Sequence, residues 1–458
     1  MTTRGDSIPT ARAVVRGAVV RGAVVRAAVL LCALAVTSVR AAPGNAATLA
    51  LTGATIHPIS GPDIVGGSVL IIGDTIAAVG AAVTIPADAE VIHLDGKQIY
   101  PGWVAAWSTL GLTEISSVLG SEDTRETGDV NPNIRTDVEF NPESELIPVA
   151  RANGITSAVA VPGGGAIAGT SALIHLAGWT FEDMTVRAPL ALHVQWPNMT
   201  LTHAWFEQRS DEQQRKDRDA AVSAITKTFD DARAYWKARA AEGSRGIPRH
   251  DRDVKWDAMG KALKGDIPVA FHCNAANQIR AVLHFVDEQK LTKVLLYGGV
   301  DATLFVDELK ARHMGVVLSG VQELPRHGYE AYDAAYSLPA RLSAAGVPFA
   351  ISDGGGASNE RNLPYQAGLA VGFGLAHDDA LKAISLWPAQ LLGVSNQVGS
   401  IEVGKFADLQ VTDGDPLEIT THVERVYIKG VATEMSNRQT RLFDKYDHRP
   451  RGVKARAH

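Results

Sequence analysis

One stretch divides this chain into two kinds of structure: Tyr100-Pro-Gly-Trp-Val-Ala-Ala-Trp-Ser-Thr-Leu110. Upstream, Thr48 to Ile56, Ser68 to Ile72, Thr75 to Val79 and Glu90 to Leu94 are short, β-rich runs. Turn signals separate them: Ser60-Gly-Pro62, Gly73-Asp74 and Asp95-Gly96. Downstream, strand-like segments (Ser157 to Val161, Ala191 to Val194, Pro268 to His272, Lys293 to Tyr297, Gly315 to Leu318, Pro348 to Ile351) alternate with helical ones at Gln278 to Glu288, Ala302 to Arg312 and Leu338 to Ala345. Such alternation calls for parallel strands joined by helices, here eight closed into a barrel over 101–393. Pro101 and Gly102 break the first pattern so that the second can begin.

The upstream strands (43–100) form a small sheet that needs a partner. Strands of the same type return at 394–435, through Gly399 to Pro416 and Val423 to Ile428. Both chain ends are therefore expected to pair into a β-sandwich flanking the barrel, giving an α/β fold. Residues 207–241, charged and free of Gly and Pro, predict a helical excursion that covers the barrel mouth or offers a partner surface, leaving a homo-oligomer open. The basic tail, 436–458, is expected to be mobile.

The chain begins with Arg4, Arg12, Arg16, Arg21 and Arg26, then an uncharged run from Ala27 to Val39 and small residues at Ala41-Ala-Pro43. This order predicts a secretory signal over 1–42, cut near Ala41 or Ala42, and a periplasmic or secreted protein. A mis-assigned start and an Arg-rich organelle presequence stay open. The apolar run falls short of the ~20 residues a membrane-spanning helix needs, so no integral segment is expected after cleavage. Cys273 would then be the one remaining cysteine, too few for a disulfide or a Cys-based zinc site. With 44 Lys+Arg against 50 Asp+Glu over 458 residues, the formal charge of −6 gives no footprint for nucleic acid.

Several longer pieces are more specific than these patterns. Pro101-Gly102 before a buried strand, Asn141 to Thr156, Gly178-Trp-Thr-Phe-Glu-Asp-Met184, Arg361-Asn-Leu-Pro-Tyr-Gln-Ala-Gly368 and the Gly-Ser-x-x-x-Gly-Lys-x-Ala-Asp-Leu return from Gly399 to Leu409 together resemble the amidohydrolase superfamily, in its imidazolonepropionase-like exported subgroup. The resemblance implies a metal-dependent hydrolase that cleaves carbon–nitrogen bonds in a small amide or peptide-like substrate. It also implies a fifth-strand metal ligand at His272 and a catalytic, metal-binding Asp353 that moves the proton between water and leaving group. The remaining ligand places hold Ala105, Trp107, Thr109 and Gly298. A catalytic zinc takes about three protein ligands plus an open position, so His272 and Asp353 would hold one divalent metal weakly at best.

Arg361 and Asn362, close after Asp353, suit a substrate carboxylate, although a salt bridge to a neighbouring acid fits Arg361 equally. Trp107 would fill the space of the lost metal and bound the substrate. His175, His193 and His203 have no second ligand at metal-binding spacing and read as structural or surface groups. Pro162 to Ser171, glycine-rich but lacking a Gly-Lys-Ser/Thr end, reads as a mobile loop rather than a phosphate cradle. A remodelled hydrolase is expected; a non-catalytic relative that binds a peptide-like ligand is the alternative.

Overall fold

The computed structural model describes residues 47–449, apart from 243, 245, 247, 250 and 327. The secretory signal expected over 1–42 and the last nine residues lie outside the described residues.

Five strands lead in: β1 (Thr48–Ile56), β2 (Ile64–Ile72), β3 (Thr75–Gly80), β4 (Glu90–His93) and β5 (Gln98–Pro101). Ten follow: β6 (Trp103–Ser108), β7 (Ile155–Ala160), β8 (Ile167–Thr170), β9 (Ala172–His175), β10 (Thr185–Arg187), β11 (Leu192–Gln195), β12 (Val269–Cys273), β13 (Val294–Gly298), β14 (Gly315–Leu318) and β15 (Phe349–Ala350). The chain returns through β16 (Leu409–Thr412), β17 (Val423–Ile428) and β18 (Val431–Ala432).

Both ends of the chain meet: β16 runs antiparallel to β5, with Val411 opposite Ile99. They form one mixed eight-stranded sheet, in place of two stacked ones. It curls, because Ile76 N donates to Lys405 O at 2.9 Å and so carries β3 back toward the approach to β16. Leu51, Ile56, Ile71, Ile99, Leu409 and Tyr427 fill the core so enclosed.

The inner strands are parallel where alternation predicts it, in β6–β7 and β11 through β15. They do not form one closed ladder. Between the two sets the Gly-rich stretch becomes strand, and β9 runs antiparallel to β7 while β8 runs antiparallel to β11. Ser171 is the switch between them: its N–H donates to Ala191 O at 3.0 Å and its carbonyl accepts from Leu190 N at 2.7 Å. At the other seam β15 is two residues long, because glycines with positive φ follow at Gly354 and Gly355. Residues Ala383 and Ile384 stand there instead, accepting from Ile351 N and Val104 N, each at 2.9 Å. That duty separates two short helices, His377–Ala383 and Leu386–Leu391.

The 207–241 excursion is a helix, Asp211–Ala241, capped by Ser210, whose side chain accepts from Gln213 N. It lies against neighbouring helices: Phe229 meets Phe285 edge-on at 5.1 Å, and Trp236 Nε1 donates to Trp256 O at 2.8 Å. The tail expected to be mobile also forms a helix, Arg438–Asp447. Asn437 caps it through Gln439 N and Thr440 N, and Arg441 pairs with Glu145 at 2.7 Å. Among the described residues no helix is long and apolar enough to cross a membrane.

Candidate active site

His272 is the fourth residue of β12, and the parallel register sets Gln195 of β11 beside it and His193 diagonally behind, on the same face. His193 Nδ1 lies 2.9 Å from His272 Nε2. One nitrogen must carry the shared proton. His193 Nε2 is buried without a partner among the described residues. An unpaired acceptor there costs less than an unpaired N–H, which assigns the proton to His193 Nδ1 and leaves His272 with its own on Nδ1. Burial drives His193 well below the ordinary imidazole range, with repulsion from His272 adding to it, and burial brings His272 to about 3. Both rings are therefore neutral at physiological pH. Sequence spacing set His193 aside; 79 residues from its partner, it carries no local motif, and only strand adjacency reveals the pair.

Trp107 stands edge-on to His272 at 5.0 Å and to Tyr297 at 5.3 Å. Tyr297, whose hydroxyl donates to Ala106 O at 3.2 Å, completes an aromatic wall beside the two imidazoles. The indole also abuts the loop after β15: a Cβ on Gly355 would sit 2.9 Å from Trp107 Nε1. Thr109 Oγ1 donates to Gly355 O at 2.6 Å and fastens the same loop.

Asp353 lies in that loop, at the carboxyl end of β15. Gln366 Nε2 donates to its Oδ1 at 2.8 Å. The amide cannot turn over, because Gln366 Oε1 accepts from both Val321 N and Gln322 N at 2.9 Å. Asp353 Oδ2 has no protein partner among the described residues. Burial lifts the carboxyl to about 6, the Gln366 hydrogen bond opposes the rise, and Glu323 adds to it. Seven residues on, Glu360 is fully buried, and neither carboxyl oxygen has a hydrogen-bond partner among the described residues. Burial raises it to about 8, with Asp353 adding to the rise. Neither Gln366 nor Glu360 carries a local signal that separates it from other helical polar residues.

His272 and Trp107 open onto a cavity of about 580 Å³ at the carboxyl ends of the strands, together with Gln195, Glu114, Glu122 and Gly356. Asp353 is not part of its lining, although Gly355 and Gly356 of the same loop are, and neither are Arg361 and Asn362, which fall in a short helical turn, Glu360–Asn362. Arg361 O instead accepts from Asn153 Nδ2 at 2.6 Å. The other two histidines are paired elsewhere: His175 Nε2 meets Asp408 at 2.8 Å in the interior, and His203 meets Asp211 at 2.9 Å on the surface. A larger cavity, about 710 Å³, lies at the opposite, amino ends, against Lys293, Pro348, Trp387 and Leu391. Its position at the amino ends sets it apart from the groups just described.

The donors do not fit a tightly held metal. His272 Nε2 is engaged by His193, and among the described residues no three His, Cys, Asp or Glu side chains converge. The ligand place held by Gly298, at the end of β13, cannot regain a ligand either. Gly298 has φ of 104°, and a Cβ there would lie 2.3 Å from Asn274 Oδ1.

The family model described as "Amidohydrolase family" matches residues 177–433. The chain is 26% identical to amidohydrolase tasK of Hapsidospora irregularis over 374 residues, covering 76% of this chain and 37% of that one. Over 99 residues it is 37% identical to the imidazolonepropionase of Syntrophobacter fumaroxidans, covering 19% of this chain and 23% of the relative. The chain thus spans well under half the length of either relative. Among solved structures, an amidohydrolase from Thermotoga maritima MSB8 superposes with a TM-score of 0.75 at 27% identity, covering 84% of this chain and 99% of that one.

Proposed function

This chain belongs to the amidohydrolase family, and from that premise we propose that it hydrolyses a carbon–nitrogen bond in a small amide or peptide-like substrate, at a remodelled, metal-poor site at the carboxyl ends of β12 and β15. The observation that carries the proposal is Asp353: clamped at Oδ1 by a Gln366 that cannot rotate, open at Oδ2, and held near neutrality by burial. A carboxyl tuned to about 6 can take a proton and return it at working pH.

The family's divalent metal, where bound, activates water and polarises the carbonyl. No step proposed here runs through one. Asp353 takes a proton from water as its oxygen attacks the carbonyl carbon. His272, neutral and donating from Nδ1 into the cavity, stabilises the oxygen that gains negative charge. As the C–N bond breaks, Asp353 returns the proton to the departing nitrogen, leaving a carboxylic acid and an amine. His193 fixes the tautomer of His272, and Trp107 bounds the bound substrate.

We read the inner sheets as one (β/α)8 cylinder, its seams carried by Ser171 and by Ala383–Ile384 rather than by continuous ladders, beside a sandwich-like sheet from the two chain ends. Export rests on the basic, apolar, small-residue order of residues 1–42.

The test is amide hydrolysis by wild type and Asp353→Asn across pH. The expected result is a loss of about 10²–10⁴-fold in kcat/KM in the variant. In the wild type kcat/KM should fall as pH drops below about 6, where a carboxyl raised to that value becomes protonated and stops accepting. Equal activity in the variant overturns the proposal, and ligand binding without hydrolysis by the wild type turns it toward a binding protein.

A further inference from the structure

Taking amide hydrolysis as above, we infer that the His272 cavity selects substrates bearing a positive charge, an ammonium or guanidinium group held against Glu114 and Glu122. The site is the cavity itself, walled by His272, Gln195 and Trp107. What decides its ligand class is charge. Glu114 and Glu122 are its only charged lining residues apart from the histidine.

Each glutamate keeps capacity to spare. Ser144 Oγ donates to Glu114 Oε2 at 2.6 Å, and Thr124 Oγ1 donates to Glu122 Oε1 at 3.3 Å. Neither carboxylate has an ion pair among the described residues.

The wider surroundings have the same sign. Residues 109–139, the loop that supplies both glutamates, carry seven acidic residues against two basic ones, in a chain whose total formal charge is −6. One of those two, Arg135, is paired with Asp137. Glu139 registers the field: burial and then repulsion from Asp123, Glu126 and Asp137 raise it to about 7. A cavity lined by one sign of charge concentrates ions of the other. The indole of Trp107 offers a cation a further favourable surface. A substrate carboxylate would find no partner on this wall, since Arg361 lies outside it.

Calorimetry on the Asp353→Asn variant, which removes turnover, tests the inference with N-acetyl-lysinamide and its uncharged isostere N-acetyl-norleucinamide. The lysine probe is expected to bind about tenfold tighter or better at low salt, the usual size for a charge-assisted contact. That preference should shrink as salt screens it and collapse toward unity when Glu114→Gln and Glu122→Gln are added. A ratio near one, a preference for norleucine, binding of neither probe, or a lysine preference that survives both added substitutions overturns it. Failure of the hydrolase proposal appears separately, as absence of turnover of any amide by the wild type, and leaves the calorimetric ratio intact.

Discussion

The two ends of the inner strands hold cavities of similar size and different character. The amino-end cavity is the larger, about 710 Å³ against about 580 Å³, and its floor includes Trp387, Leu391 and Pro348. The carboxyl end is where burial has displaced titratable groups: His193, His272, Asp353 and Glu360. Volume alone would choose the amino end. Strand direction and perturbed protonation choose the other, because a buried ionisable group costs stability and is kept where chemistry uses it.

The largest effect that could break this contrast is the loss of hydrolysis in Asp353→Asn set out above, with no counterpart at the amino end. Next is Gly298→His, which puts an imidazole at the end of β13. It should cost about 3 kcal/mol, from the left-handed backbone and the clash with Asn274, without creating a zinc site. Denaturant unfolding and zinc titration check this; a variant of wild-type stability that binds one zinc would show the site to be merely vacated. Smaller is Trp387→Ala, whose ring meets Phe349 edge-on at 5.1 Å. It should cost about 2 kcal/mol of stability and change kcat/KM less than threefold, a partly buried ring being lost far from the chemistry. A large loss of activity at unchanged Tm would instead make the amino-end cavity part of the reaction.

Much of the scaffold is legible in the sequence. Leu338–Ala345 and Gly315–Leu318 are found at the expected residues, and β16 returns to β5 as the Gly399 to Leu409 pattern implies. These are local signals, repeated with the period of the element. The antiparallel excursion of β8 and β9 is not legible, because a glycine-rich stretch leaves strand direction open. Nor is the break after Ala383, which serves two backbone N–H groups from distant strands. In the site, His272 and Asp353 are placed by strand ends, but only His272 lines the cavity; Asp353, Arg361 and Asn362 lie outside its lining. His193, Gln366 and Glu360 become visible only through tertiary neighbours: a parallel register, a doubly anchored amide and complete burial.

The central claim is that Asp353 and the His193–His272 pair, rather than a firmly bound metal, carry the chemistry at the carboxyl end. Metal content and amidase activity measured on one preparation, before and after exhaustive chelation, test it most directly. The account predicts far less than one zinc per chain and activity that survives the chelator; a stoichiometric metal whose removal abolishes hydrolysis, and whose return restores it, would contradict it.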